Sequence, residues 1–186
     1  MRIVALDLSK RSAGWATWGP KDSQVASGYW VLGTEMTSRG MVYRHLYQQL
    51  NALHSLGKIE AIFYEQPLNL GPAAGFTNIE TMSTLIGLAE HCQSWGEAAR
   101  CRIIRAVNQA SWRKQFIGSL PRPKKGDKTS EKLKALAVQR CNDLGFRVER
   151  HDQAEAIGIL DYACMSLDIQ PYWRAHETLA LSGGGR

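Results

Sequence analysis

The sequence predicts an α/β fold, a mixed sheet with helices on its faces. Three observations carry this. Three short strand-like runs open the chain, separated by turns containing Ser, Gly and Pro, as in an antiparallel meander. After residue 41, helical and strand periods alternate, which adds helices to the faces of that sheet. The chain has 186 residues, 44% hydrophobic and 22% charged, which suits one core, since single domains usually run to about 100–200 residues.

The elements follow in order. Residues 2–6 form a nearly continuous apolar run, the pattern of a buried central strand. Residues 12–18 (SAGWATW) and 24–32 read as the second and third strands. Met41 to Leu56 sets Leu46, Leu50 and Leu53 on one helical stripe. Residues 59–64 (IEAIFY) make a fourth strand that ends at Glu65, and Pro67 with Gly71-Pro72 forces a loop. A long helix is expected over 78–97 and a fifth strand over 102–107. Residues 119–130 (SLPRPKKGDKTS) combine two prolines, a glycine and lysines, so a mobile loop is expected. Glu131 to Leu144 reads as a helix closed by Gly145, and Asp152 to Leu167 as the last helix. The expected organisation is one folded domain over 1–169 and a flexible C-terminal tail over 170–186, ending Ser182-Gly183-Gly184-Gly185-Arg186.

Composition removes several classes. No apolar run approaches the roughly 18–20 residues of a membrane span. The opening Met1-Arg2-Ile3-Val4-Ala5-Leu6-Asp7 reaches a carboxylate too early for a secretory signal. Cys92, Cys101, Cys141 and Cys164 show neither CxxC nor metal-finger spacing. They are expected to be reduced thiols of a cytoplasmic protein.

The net charge of +6 hides a division. Residues 100–150 hold fourteen Lys or Arg against four Asp or Glu, a net of +10, and the rest of the chain sums to −4. Such a stretch is the electrostatic footprint of a polyanion, most often nucleic acid, with a solvated basic face as the plain alternative. The candidate phosphate contacts are Arg113, Lys114, Arg122, Lys124, Lys125, Lys128 and Lys132, joined by Lys10 and Arg11 in the first turn. Phe76 and Trp112 are candidates to stack on unpaired bases, against the commoner fate of aromatics as core.

Four carboxylates draw the chemistry. Asp7 and Glu65 each end an apolar strand, where a charge must reach the strand's end or be buried at a cost of several kcal/mol. Asp152 and Glu155 lie three apart on one helix face. Taken singly, Asp7 could be a turn residue and Asp152 with Glu155 a helix-capping pair. Glu65 resists such a reading, because Glu is a poor strand former. If the first and fourth strands are neighbours under the last helix, all four converge, and an oxygen-rich cluster of this kind suits Mg²⁺ or Mn²⁺. His151 adjoins the site, as a water-orienting group or as an ordinary helix-entry residue.

Together these residues resemble RuvC-type Holliday junction resolvases. ALDLSKRSAGWA (5–16) is similar to that family's first motif, IFYEQP (62–67) to its second and HDQAEAIGILDYA (151–163) to its last. WRKQFIGS (112–119) followed by PKKGDKTSEKLKALA (123–137) resembles its Lys-rich stretch. The likeness spans about residues 2–168, in the family's order, and the fuller form looks like the branch common in bacteriophages and prophages. It implies an RNase H-like fold: a three-strand antiparallel meander plus two parallel strands, flanked by helices. It also implies a homodimer that nicks branched DNA, four-way junctions above all, using Mg²⁺ or Mn²⁺ held by Asp7, Glu65, Asp152 and Glu155. Two ions per site are expected, with Asp7 bridging them. The last acid is Glu155 where the better-known bacterial pattern has Asp, and the first aromatic after Glu65 is Phe76. No nucleotide cofactor is expected: an actin-like domain would need a second Gly-rich phosphate motif, and Gly183-Gly184-Gly185 follows no strand. The remaining alternatives are a nuclease for forks or flaps and a non-catalytic junction-binding protein. The dimer surface is expected on the helix near 78–90, at Gly87 and Ala89.

Overall fold

The computed structural model describes residues 1–67, 79–118 and 129–175. Its elements are β1 (Ile3–Leu8), β2 (Ser12–Trp18), β3 (Ala26–Val31), α1 (Arg39–Leu56), β4 (Ala61–Glu65), α2 (Ile79–Ala98), β5 (Ile103–Val107), α3 (Gln109–Ile117), α4 (Thr129–Asp143) and α5 (His151–Ser166). A 3₁₀ turn at Tyr172–Arg174 follows. The five strands form one sheet in the order β3-β2-β1-β4-β5. β3, β2 and β1 are antiparallel, and β4 and β5 run parallel to β1. The expected mixed sheet is therefore present with every strand in place.

Strand parity decides what each face receives, since alternate residues point to opposite sides. Ile3 and Ala5 of β1, Phe63 of β4 and Ala16 of β2 pack with Trp112 and Phe116 of α3 and the apolar face of α5. Val4, Leu6, Ile62 and Tyr64 pack on the opposite side with Leu46 and Leu50 of α1 and Leu88 and Trp95 of α2. β1 is covered on both faces, as its unbroken apolar run requires. Two residues beyond Ala5 the same parity turns Asp7 toward α5, and two beyond Phe63 it turns Glu65 that way.

Two elements escaped the sequence reading. α3 has only nine residues, but Asn108 caps it by accepting from the Ala110 and Ser111 amides at 2.9 and 3.3 Å. The tail expected to be flexible from residue 170 is anchored as far as Ala175. Trp173 is buried, and its Nε1 donates to Asp161 at 2.8 Å. Arg174 adds bonds of 2.9 and 2.6 Å to the same carboxylate, and Gln115 of α3 a further 2.9 Å. A fully buried carboxylate needs partners of this kind, and the end of the chain supplies them.

α4 stops at Gly145, whose φ of 84° suits glycine, with the Phe146 amide returning to the Cys141 carbonyl at 2.9 Å. All four cysteines are free, and burial pushes the Cys141 and Cys164 thiols up to about 12, as befits packing groups. No helix among the described residues is long and apolar enough to cross a membrane.

Candidate functional site

The register brings the acids together. β1 and β4 pair in parallel with Leu6 opposite Tyr64, so the next residues, Asp7 and Glu65, sit side by side at the strands' C-terminal ends. On its other side Asp7 pairs with Gly14 of β2. A Cβ on Gly14 would lie 1.9 Å from the Asp152 carbonyl oxygen and 2.9 Å from the Gln153 amide nitrogen. Only a glycine there lets the start of α5 rest directly on the sheet, and that contact delivers Asp152 and Glu155 beside Asp7.

The electrostatics reflect this convergence. Asp7 is only 8% exposed. Burial, and then the charges of Glu155, Glu65 and Asp152 in that order, hold its carboxyl well above the usual carboxylate range, while Lys134 of α4 pulls the other way. Burial also raises Glu65, opposed by its bond from Trp112 and aided by Glu155. No hydrogen bond to the Asp7 carboxylate comes from the described residues.

The other three acids each have a protein partner. Glu65 accepts from Gln109 Nε2 at 2.7 Å and from Trp112 Nε1 at 2.9 Å. Asp152 accepts from Ser12 Oγ at 2.9 Å, and Ser12 is itself joined to Ser9 Oγ at 2.8 Å. Glu155, 2% exposed, pairs with Arg113. The capping-pair alternative does not describe α5: its N-cap is Arg150, which makes no side-chain cap bond, and both acids are engaged elsewhere. With the carboxylates turned to these partners, no three His, Cys, Asp or Glu side chains among the described residues stand ready as a coordination shell. By donor chemistry the set nevertheless fits a hard divalent cation. It consists of carboxylate oxygens, and like charges forced together in a buried place are relieved by a cation.

Several expected contacts lie elsewhere than foreseen. Arg113, assigned to DNA phosphate, is 5% exposed and turned into the acidic cluster, because buried Glu155 requires a counter-charge. Trp112 is fully buried and bonded to Glu65, which removes it as a base-stacking platform. Lys114 and Lys132 are exposed on α3 and α4. Lys10 pairs with Glu80 at 2.7 Å and Arg11 with Glu35 at 2.9 Å, exposed pairs of small net value. Arg122, Lys124, Lys125, Lys128 and Phe76 lie outside the described residues. Gly87 does not face outward: a Cβ there would meet Tyr43 Oη of α1 at 2.1 Å, and Ala89 is buried, so their small size serves helix packing within the chain. His151 is exposed at the first turn of α5 and lines a recess of about 330 Å³ with Glu149, Arg150 and Asp152. Sequence reasoning missed Ser12, Gln109 and Lys134, whose polarity carries no signal of a site.

A five-stranded mixed sheet of this order, flanked by helices, is an RNase H-like fold. Among solved structures, the chain is similar to Thermus thermophilus RuvC in complex with a Holliday junction substrate. The TM-score is 0.62 at 11% identity, covering 89% of this chain and 96% of that one. A second Thermus thermophilus RuvC structure gives 0.60 at 14% identity, covering 89% and 97%. By sequence, no family model and no curated protein matches the chain.

Proposed function

We propose that the protein is a divalent-metal-dependent endonuclease that resolves four-way DNA junctions by paired symmetric nicks. The observation that carries this is the convergence of Asp7 and Glu65 from neighbouring parallel strands with Asp152 and Glu155 from one turn of α5, on a RuvC-type fold. Asp7, Glu65, Asp152 and Glu155 are the residues that would hold Mg²⁺ or Mn²⁺, with Asp7 central. When bound there, such ions would supply water activation and stabilisation of the leaving 3′ oxygen for an in-line phosphodiester displacement.

The chain's own contribution is orientation. Gln109 and Trp112 fix both oxygens of Glu65, and Ser12 fixes Asp152. Lys10 and Arg11 in the first turn, with Lys114, Lys132, Arg122, Lys124, Lys125 and Lys128, would track the phosphate backbone, which sets affinity and register with little sequence information. A homodimer would place one site on each of two opposed strands of a nearly two-fold junction. The outward face of α2, where Ile79 is 84% and Ile86 50% exposed, is our choice for the dimer surface.

A nicking assay tests the proposal, comparing a four-way junction with a flap of the same arms. Cleavage of the junction in Mg²⁺ or Mn²⁺, its loss in excess EDTA and binding with little cleavage in Ca²⁺ are the expected results. Ca²⁺ is larger and accepts looser geometry than Mg²⁺. Preference for the flap would move the protein to the fork-and-flap nucleases. Junction binding with no nicking in any metal would make it a non-catalytic binder.

A further inference from the structure

Resting on the metal-dependent reading above, we infer that Arg113 is the resident counter-ion of the acidic cluster, and that a divalent cation competes with its guanidinium for Glu155. Arg113 and Glu155 are both almost wholly buried and are paired with each other. The guanidinium lies over the Trp112 ring at 5.2 Å, and Trp112 in turn holds Glu65. Its Nε is buried with no hydrogen-bond partner. A guanidinium is held in such a place by its charge partner, since an unpaired buried charge is strongly unfavourable.

The four acids differ in what engages them. Glu65 is held by a neutral amide and an indole, and Asp152 by a hydroxyl. Glu155 alone among them has a cation as its hydrogen-bond partner among the described residues. A neutral donor can stay on a carboxylate that also ligates a metal, because it orients the group without opposing the metal's charge. A guanidinium cannot do so without repulsion. The Arg113 pair therefore opposes a metal on Glu155 and lowers its affinity. Arg113 is on this account a positioning residue: it keeps the site folded before the metal arrives and weakens the metal's hold.

The test measures Mn²⁺ binding by the full chain without DNA, from the loss of the free-ion electron paramagnetic resonance signal. Arg113→Gln should bind Mn²⁺ tighter than wild type by about 5-fold or more, the scale on which two coupled ligands affect each other. Arg113→Lys, which keeps the charge, should stay near wild type. If Arg113 merely holds Glu155 in place as a ligand, Arg113→Gln should bind the metal more weakly. Equal or weaker binding by a folded Arg113→Gln overturns the inference and leaves the nuclease reading standing. A folded wild-type chain that binds no Mn²⁺ overturns both. A second measurement needs no variant: in crystals of the wild type grown with Mn²⁺, the guanidinium should have left Glu155. An intact Arg113–Glu155 pair beside Mn²⁺ bound at Asp7 refutes the competition.

Discussion

Gly14 should be the least replaceable small residue of the protein, and Gly14→Ala measures how the site is assembled. The added Cβ would fall 1.9 Å from the Asp152 carbonyl oxygen and 2.2 Å from its carbonyl carbon. Both are backbone atoms of α5, so no side-chain rotation relieves the clash. Real Cβ contacts begin near 3.0 Å, so α5 and β2 must separate by about 1.1 Å or more. Overpacking of this kind costs about 1–3 kcal/mol, which lowers the melting temperature by roughly 2–12 °C in a chain of this size. The catalytic consequence is larger than the stability loss. Asp152 and Glu155 ride on the displaced helix while Asp7 and Glu65 stay on the sheet, and misplacement by about 1 Å costs on the order of 100-fold in rate. Single-turnover nicking of a four-way junction at saturating protein, with a melting curve of the same preparation, checks both numbers. The matched control is Gly40→Ala in the first turn of α1, where a Cβ meets nothing within 4 Å. It should leave cleavage unchanged and stabilise the helix slightly, by at most about 1 kcal/mol. Near wild-type nicking by a folded Gly14→Ala would show that α5 does not set the position of the acids.

Three further outcomes are expected. Asp7→Asn should abolish nicking and retain junction binding. It should also stabilise the metal-free protein at neutral pH. Asp7's folded pKa lies above its unfolded value of about 4, so the folded state binds the extra proton, and stability falls as pH rises from about 4 through the raised pKa. Melting curves of both chains in EDTA should converge near pH 4 and diverge at neutral pH, and a difference between the chains that does not grow over that range would contradict the sign. Neutralising Lys124, Lys125 and Lys128 together should weaken binding to all sequences and reduce the salt slope by about 2–3 units, near 0.9 per lost phosphate contact; an unchanged slope would place the DNA surface elsewhere. Sedimentation should give a dimer for wild type and a monomer for Ile86→Glu, which should leave singly nicked junctions. A wild-type monomer even with junction bound would defeat the paired-nick proposal.

How much of this was legible in the sequence depended on whether a local pattern encoded it. β1 announced itself because burial on both faces demands an unbroken apolar run, and Asp7 stood out as a charge at its end. The pairing of Asp7 with Glu65 needed only the assumption that β1 and β4 are neighbours. Gly14 was visible as part of a motif, but the reason for it, close approach of α5, is a contact across 138 residues that no local pattern records. Arg113 was misplaced for the same kind of reason. Its neighbours in sequence, Lys114 and the lysines beyond, suggested a DNA-facing series, whereas the helical period turns Arg113 inward with Trp112 and leaves Lys114 exposed. Gly87 and Ala89 suggest a dimer surface by their small size, whereas Gly87 faces Tyr43 of α1 in the same chain and Ala89 is buried. The tail was read from its glycine-rich end, which concealed the anchoring of Trp173 and Arg174 just before it.

The short helix α3 carries more of the site than its nine residues suggest. Gln109, Trp112 and Arg113 fall at i, i+3 and i+4, one face of a helix, and that face holds both oxygens of Glu65 and the carboxylate of Glu155. Glu65 belongs to the sheet and Glu155 to α5, so α3 joins the two layers whose relative position Gly14 sets. The same helix sends Phe116 into the core, and Gln115 to Asp161, the acid that anchors the chain's end. A shift of α3 would thus be felt at two of the four acids at once, with Asp7 and Asp152 untouched. The basic stretch runs through this helix, with exposed Lys114 directly beside buried Arg113 and Lys134 of neighbouring α4 acting on Asp7. On the nuclease reading, DNA drawn to those cations would meet a surface whose inner side holds Glu65 and Glu155.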